Sequence, residues 1–576
     1  MKSYMIWFIA LVFLVFSACK TKNKEKEQLS YTTTTCNAVP ATNDDDWYST
    51  DKKAPLFDNL GDYSFPVTTE NELVQKYFDQ GLILSYGFNH AEAARSFFYA
   101  AKLDPDCAMA YWGYAYVLGP NYNTAGYMES NYYPLAYDAI QKALALAEHV
   151  TPKERALIEA MSERYTKDVP RNRMDLDLAY SEAMREVYET YPDDPDIGTM
   201  YAESLMNLHP WDLYESDGRL KLWTAEIVET LEKVIDENAN HPGAHHFYIH
   251  AVEASKTPER GLYSAGLYDD GLVPGAGHLV HMPSHIYIRT GHYHKGTVAN
   301  INAVASDSSY TTSCHAQGVY PLAYYPHNYH FLAATATLEG NSYWGIRASE
   351  KMAEQISRQL MQEPGWGTLQ HFYTIPYYVY VKCGKWDKIL EHPDEVPSLN
   401  YPAAVRAYAR GMAFLGKKDV ENAQKELEKL ETFAKDESLK ELTIWDINST
   451  YDLVQIARNV LKAEIFATQK EYARSIELLT EAIKIEDALN YNEPPDWFFS
   501  VRHHLGAVQI EAQNYRDAID TYREDLAVLP RNGWALHGMK LAYNKLGNAA
   551  KEAEIEKQLT DIWATADLQI TSSRIK

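Results

Sequence analysis

Cysteine is scarce in this chain, with five in 576 residues and none in a Cys-x-x-Cys pair. That scarcity excludes a thiolate zinc module and a disulfide framework as organising principles, although Cys36, Cys107, Cys314 and Cys383 leave room for one or two bridges. No Gly-x-Ser-x-Gly elbow and no phosphate-binding Gly-rich loop ending in Gly-Lys-Ser/Thr occurs, which argues against a serine hydrolase of the α/β type and against an NTPase. Positive charge is also in deficit. The chain has 54 Lys+Arg against 79 Asp+Glu, a net charge of −25, and no basic stripe to neutralise a phosphate backbone. Nucleic acid is therefore not an expected partner.

Long apolar runs are missing except at the start. The run from Met5 to Phe16 is shorter than the roughly 20 residues a spanning helix needs. With Lys2 before it and Ser17, Ala18 and Cys19 after it, the segment 1–19 reads as a cleaved signal. Phe-Ser-Ala-Cys resembles the bacterial lipobox, in which the cysteine becomes the lipidated first residue of the mature protein. Cys19 is thus the expected lipidation site, anchoring the chain to a membrane of the bacterial cell envelope, periplasm-facing or at the surface. Residues 20–55 begin KTKNKEKEQLSYTTTT, which has almost nothing to bury and reads as a disordered polar tether.

Aromatic residues are plentiful, at 13 % with 44 Tyr and 12 Trp, and they suit a well-packed array. An internal period is present as well. With Gly81 at position 8 of a tetratricopeptide unit, Ala93, Phe97, Ala100 and Pro105 fall on positions 20, 24, 27 and 32. Gly506 with Ala518, Tyr522 and Pro530 repeats the pattern, with Asp525 breaking the Ala rule. Trp534, Gly538 and Ala550 open a further unit, and Gly411, Ala423 and Leu427 give a weaker one. Proline and glycine fall between apolar-periodic segments, and no long alternating strand pattern is seen. The expectation is an all-α solenoid of antiparallel helix pairs from about residue 70 to 565, in a single elongated array. It divides into N-terminal repeats over 56–235, central His-rich repeats over 236–385 and C-terminal repeats over 386–576.

Twelve of the 20 histidines lie between His241 and His330. In NHPGAHHFYIHAVEAS, a helix entered through Pro242 carries His246, His250 and Glu253 at i, i+4 and i+7, on one stripe. HMPSHIYIRTG starts the next unit, because Gly296, Asn300 and Ala303 fall on positions 20, 24 and 27 of its second helix. His285 lies on the helix, whereas His281 lies at its cap if Pro283 is the first helical residue. One unit later His327 and His330 follow a proline at i, i+3. A zinc, copper or iron site needs three or four imidazole or carboxylate donors at roughly 2.0–2.2 Å from one point. The expected ligands of such a divalent transition metal are His246, His250, Glu253, His281, His285, His327 and His330. The stripe is not His-Glu-x-x-His, so Glu253 is not a metalloprotease base by motif.

Arg289, Trp211 and His371 are candidate substrate or anion contacts: Arg289 follows His285 by one turn, Trp211 sits in NLHPWDLYES, and His371 falls in the helix TLQHFYTI. His292 and His294 read as turn-surface residues, and His241 and His315 carry no assignment. LVPGAGH reads as a loop or an anion cradle, and EPPDW as a connection between repeats.

GHLVHMPSHIYIRTGHY, PWDLY, EDALNYNEPPDW with VRHHLGA, and YREDLAVLPRNGWALHG resemble a family of bacterial envelope tetratricopeptide-repeat proteins of undefined activity, over about residues 90–563. The resemblance implies the fold and no reaction. Two functions follow from the residues themselves. One is a metal-dependent hydrolase or oxidoreductase, or a carrier of the metal. The other is a repeat scaffold that binds an envelope protein or peptide without catalysis.

Overall fold

The computed structural model describes residues 45–124, 128, 130–314, 320–393 and 398–576. The signal segment with Cys19, most of the tether, Cys36 and His315 lie outside the described residues. The rest is a tetratricopeptide-type all-α solenoid. Helical hairpin follows hairpin from Glu72–Tyr86 with His90–Leu103 to Gly533–Lys545 with Ala549–Ile562. Among the described residues the strands are confined to a two-residue ribbon, Thr443–Ile444 against Asn448–Ser449. No helix of the described residues is long and apolar enough to cross a membrane. Cys107 and Cys383 are free and buried, and burial pushes their thiols up to about 11 and about 12.

The repeat positions stack these hairpins by a steric wedge. A Cβ on Gly81 would sit 2.8 Å from the Phe97 ring, and one on Gly113, in the following hairpin, 2.4 Å from it. Only glycine lets one aromatic ring fill both interfaces at that closeness. Tyr522 is held in the same way between Gly506 and Gly538, where a Cβ would lie 2.3 and 2.2 Å from it. Asp525, off-pattern in its repeat, is buried in a polar network. Its carboxylate lies 3.0 Å from His503 Nε2 and accepts from the Asn532 amide at 2.7 Å. Several hairpins are entered through a cap and a proline, as at Thr151-Pro152, Asp194-Pro195 and His241-Pro242. The cap side chain accepts a first-turn amide, and proline needs none.

The array curls until distant hairpins touch. Tyr293 donates to the Pro530 carbonyl at 2.8 Å, Trp534 Nε1 to the Thr337 carbonyl at 2.9 Å, and Asp567 accepts the Ser342 and Tyr343 amides at 2.7 and 2.9 Å. Buried apolar residues form two large bodies, one reaching from Ala54 to Tyr324 and another from Ile288 to Leu529, and a smaller third from Ile510 to Leu559. The central histidines lie along the seam between the two large ones. A cavity of about 1220 Å³ opens inside the curl, walled by residues as far apart as Tyr122 and Pro530.

Candidate metal centre

Helix Pro242–Glu253 is buried along its whole length. A Cβ on Gly243 would lie 2.6 Å from the Tyr86 ring, so glycine brings this helix close against the first hairpin. The chain returns as the short helix Gly277–His281, and Pro283, which has no N–H to donate, starts a separate helix, Pro283–Thr290. The break turns His278 and His281 toward His246, His250 and His285. Helix Tyr325–Leu338 adds His327.

Two imidazole triads result, His246 with His250 and His278, and His281 with His285 and His327. Within each, one ligand atom per residue lies within 4.8 Å of the others. Each triad leans on one phenylalanine. Phe88 is centred 4.7 Å from His246 and 5.3 Å from His278. Phe331 is 4.7, 4.4 and 5.0 Å from His281, His285 and His327. The triads are neighbours, with His250 and His285 ring centres 5.3 Å apart.

Glu253 joins them from behind. Its carboxylate accepts from His250 Nδ1 at 2.7 Å and from His285 Nδ1 at 2.5 Å. His246 donates from Nδ1 to the Tyr86 carbonyl at 2.5 Å, and His281 from Nδ1 to Asn300 Oδ1 at 2.9 Å. The Asn300 orientation is fixed because its Nδ2 donates to the Gly296 carbonyl at 2.7 Å. Four imidazoles therefore carry their proton on Nδ1 and turn an Nε2 lone pair inward, the arrangement that outer hydrogen bonds impose on metal-binding histidines.

Two of these lone pairs face each other, since His281 Nε2 and His285 Nε2 are 2.9 Å apart. His246 Nε2 and His278 Nε2 are 3.2 Å apart. Facing lone pairs repel unless a proton or a metal cation shares them. Two imidazoles on one ion at about 2.0–2.1 Å, about 90–110° apart, stand about 2.8–3.4 Å from each other. Between His281 and His285 a shared proton would make an imidazolium, which burial first, and then the neighbouring imidazoles, oppose at His281 as at His246, His278 and His327, whereas neutral His278 can donate from Nε2 to His246. Burial alone would raise Glu253, but the His285 and His250 imidazoles outweigh it and hold the carboxylate below its usual range. Nε2 of His250, Nδ1 of His278 and Nδ1 of His327 have no hydrogen-bond partner.

Of the seven expected ligands, five histidines and Glu253 meet here. Glu253, however, bonds to imidazole nitrogens, as the orienting carboxylate of both triads. His330 turns the other way. Its ring stacks on Phe498 at 5.0 Å and meets His371 at 5.6 Å, in the core of the next hairpin. His371 Nδ1 lies 2.7 Å from the Tyr401 hydroxyl, so His371 is away from the cavity wall. His278 was missed by spacing alone, because its short helix hides the relation to His246. Trp211 and Arg289 do line the cavity, as do Glu493 of EPPDW and the half-buried His292, read from sequence as surface. His294 is exposed and pairs with Glu339. His241 caps its helix, accepting from the Ala244 amide at 3.0 Å. The glycines of LVPGAGH are packing devices: a Cβ on Gly275 would strike Asn59, and one on Gly277 would strike the Asp307 carboxylate. An anion has no room there.

The chain matches no family model and no curated protein. Among solved structures it is similar to a human IFIT1 dimer with m7Gppp-AAAA, at 11 % identity and a TM-score of 0.31 over 88 % of this chain and 92 % of that one. It is also similar to yeast Tom70, at 11 % identity and a TM-score of 0.27 over 86 % and 93 % of the two chains. The TPR domain of P58(IPK) gives 12 % identity and a TM-score of 0.20 over 83 % and 99 %. The likeness is one of stacked helical hairpins.

Proposed function

We propose that this protein is a metal-dependent oxidoreductase holding two copper ions side by side, one on His246, His250 and His278 and the other on His281, His285 and His327. The observation that carries the reading is the set of Nε2 lone pairs turned inward by Tyr86, Glu253 and Asn300. All-imidazole donors suit copper, zinc, iron or nickel, and among divalent ions copper binds such donors tightest. Charge narrows the choice. Two divalent ions beside the single ionised Glu253 leave three positive charges in a buried site, whereas two cuprous ions leave one. Neighbouring one-electron ions at a cavity wall suit the two-electron oxidation of a small organic molecule, with dioxygen as the final acceptor. In the same reading Cys19 carries the lipid that holds the protein at the bacterial envelope.

Elemental analysis of protein beginning after Cys19 tests this. About two copper ions per chain are expected, lost in a His246→Ala/His250→Ala and His281→Ala/His285→Ala variant. Glu253→Gln offers one acceptor oxygen where two Nδ1–H groups need one, so it should release one ion of the two. Two zinc ions would turn the reading to hydrolysis, with Glu493, which burial pushes up to about 7, as the base facing the cavity. Protein that takes up no metal leaves an interaction scaffold with a histidine-lined groove.

A further inference from the structure

The cavity beside the triads has features that the metal ions do not explain. Arg289 stands one helical turn after His285, so its guanidinium reaches the same cavity. It lies 5.4 Å over the Tyr491 ring and reaches only the Ser255 carbonyl, at 3.4 Å. Its Nε is buried without a partner, and no ion pair to it occurs among the described residues. An arginine in a protein is always charged, and this half-buried guanidinium has no counter-ion within reach. Of the other acids of the wall, Asp212 pairs with Lys221, Asp217 with Arg219 and Glu253 with the two imidazoles, and Glu215, Glu259 and Asp446 make no ion pair with Arg289. Glu493 accepts from Tyr491 at 2.8 Å, and burial pushes it up to about 7, so it is a weak counter-charge.

Around this fork the wall is aromatic. Trp211 stacks on Tyr122 at 5.2 Å and touches His250 at 5.5 Å, while Trp445 approaches His327 at 6.3 Å. Trp211 and Trp445 hold φ values of 56° and 52°, in the left-handed region. Such a backbone is disfavoured for a bulky residue. Two tryptophans are thus held against their backbone preference, one beside each triad.

We propose that the cavity binds a small planar aromatic molecule bearing a carboxylate, with the carboxylate forked onto Arg289 and the ring among Trp211, Tyr122 and Trp445, next to the triads. The assignment rests on the reading of this cavity as the chamber of the metal centre. The planar guanidinium matches a carboxylate in two parallel hydrogen bonds, and aromatic walls match the ring. The fork fixes one end of the ligand and brings the ring up to the imidazoles.

Titration of the chain beginning after Cys19 with benzoate and with benzamide, read by tryptophan fluorescence, tests the assignment, with metal content and circular dichroism recorded for each variant. Benzoate should bind at least about tenfold tighter than benzamide, a preference lost in Arg289→Met and partly kept in Arg289→Lys, with metal content unchanged. A Gly-Gly-Phe peptide with a free or an amidated terminus distinguishes a peptide end from a free small molecule as the source of the carboxylate. Equal binding of benzoate and benzamide to the unmodified chain overturns the proposal. So does an undiminished preference in Arg289→Met, which would place the carboxylate on a metal ion. Fluorescence needs no metal, so failure of the copper reading is seen separately, in the elemental analysis.

Discussion

The Phe97 unit and the Asn300 unit have the same place in the repeat and opposite chemistry. In the first, position 24 is an aromatic ring wedged between two glycines, and it does nothing but stack hairpins. In the second, position 24 is Asn300, fully buried, giving one end to its own helix and the other to His281. The contrast shows that one packing position of a repeat can serve either as mortar or as the support of a buried imidazole, depending on whether the neighbouring helix offers glycine or histidine. It also explains the place of the site at the seam between the two large apolar bodies. Phe88 belongs to one and Phe331 to the other, so each triad rests on its own core.

The comparison breaks most sharply at Phe97. Phe97→Ala should cost about 3–5 kcal/mol of stability, read by urea unfolding, because the cavity opens at two interfaces at once. Its metal content should stay unchanged wherever the protein remains folded. Asn300→Leu sharpens the contrast from the other side, since it restores an apolar residue at position 24. The metal-free protein should lose about 1–3 kcal/mol, because the buried His281 Nδ1–H loses its acceptor. Metal affinity, measured by competition with a chelator, should fall about 10–100-fold as His281 loses its orienting acceptor. Unaltered affinity would mean that Ser284, whose hydroxyl is 3.1 Å from His281 Nδ1, suffices alone.

A third test is acid lability. His246, His278, His281 and His327 have folded values depressed by burial. Below the unfolded value of about 6.5 the unfolded chain therefore binds more protons than the folded one, and stability falls as pH falls. The loss is at most about 1.4 kcal/mol per pH unit for each histidine. Hydrogen exchange on metal-free protein should show the helices between Pro242 and Leu338 opening first on acidification, ahead of the Phe97 hairpin.

The sequence revealed the repeat because the wedge is local: Gly81, Ala93 and Phe97 lie within one hairpin, and their spacing is the packing itself. His246, His250 and Glu253 were legible for the same reason, as one helical stripe. His330 was misread because spacing at i, i+3 puts two residues near one face without saying which neighbour each meets. His327 meets Phe331 and its triad, whereas His330 meets Phe498. His278 required knowledge of the break at Pro283. Phe88, Arg289's surroundings and Glu493 depend on contacts across more than a hundred residues, and no periodic pattern encodes those.

The curl of the array also sets an order of assembly. Tyr491, whose hydroxyl is 3.3 Å from Glu253, follows it by 238 positions, and Pro530 closes over Tyr293, at the start of the helix after His285's, from 237 positions on. As the chain emerges from its N-terminus, both triads can gather while the far wall of the chamber is still unmade. The chamber becomes secluded only once the last hairpins dock, so the gathering of the imidazoles and the closing of the wall are separated by the length of the chain itself.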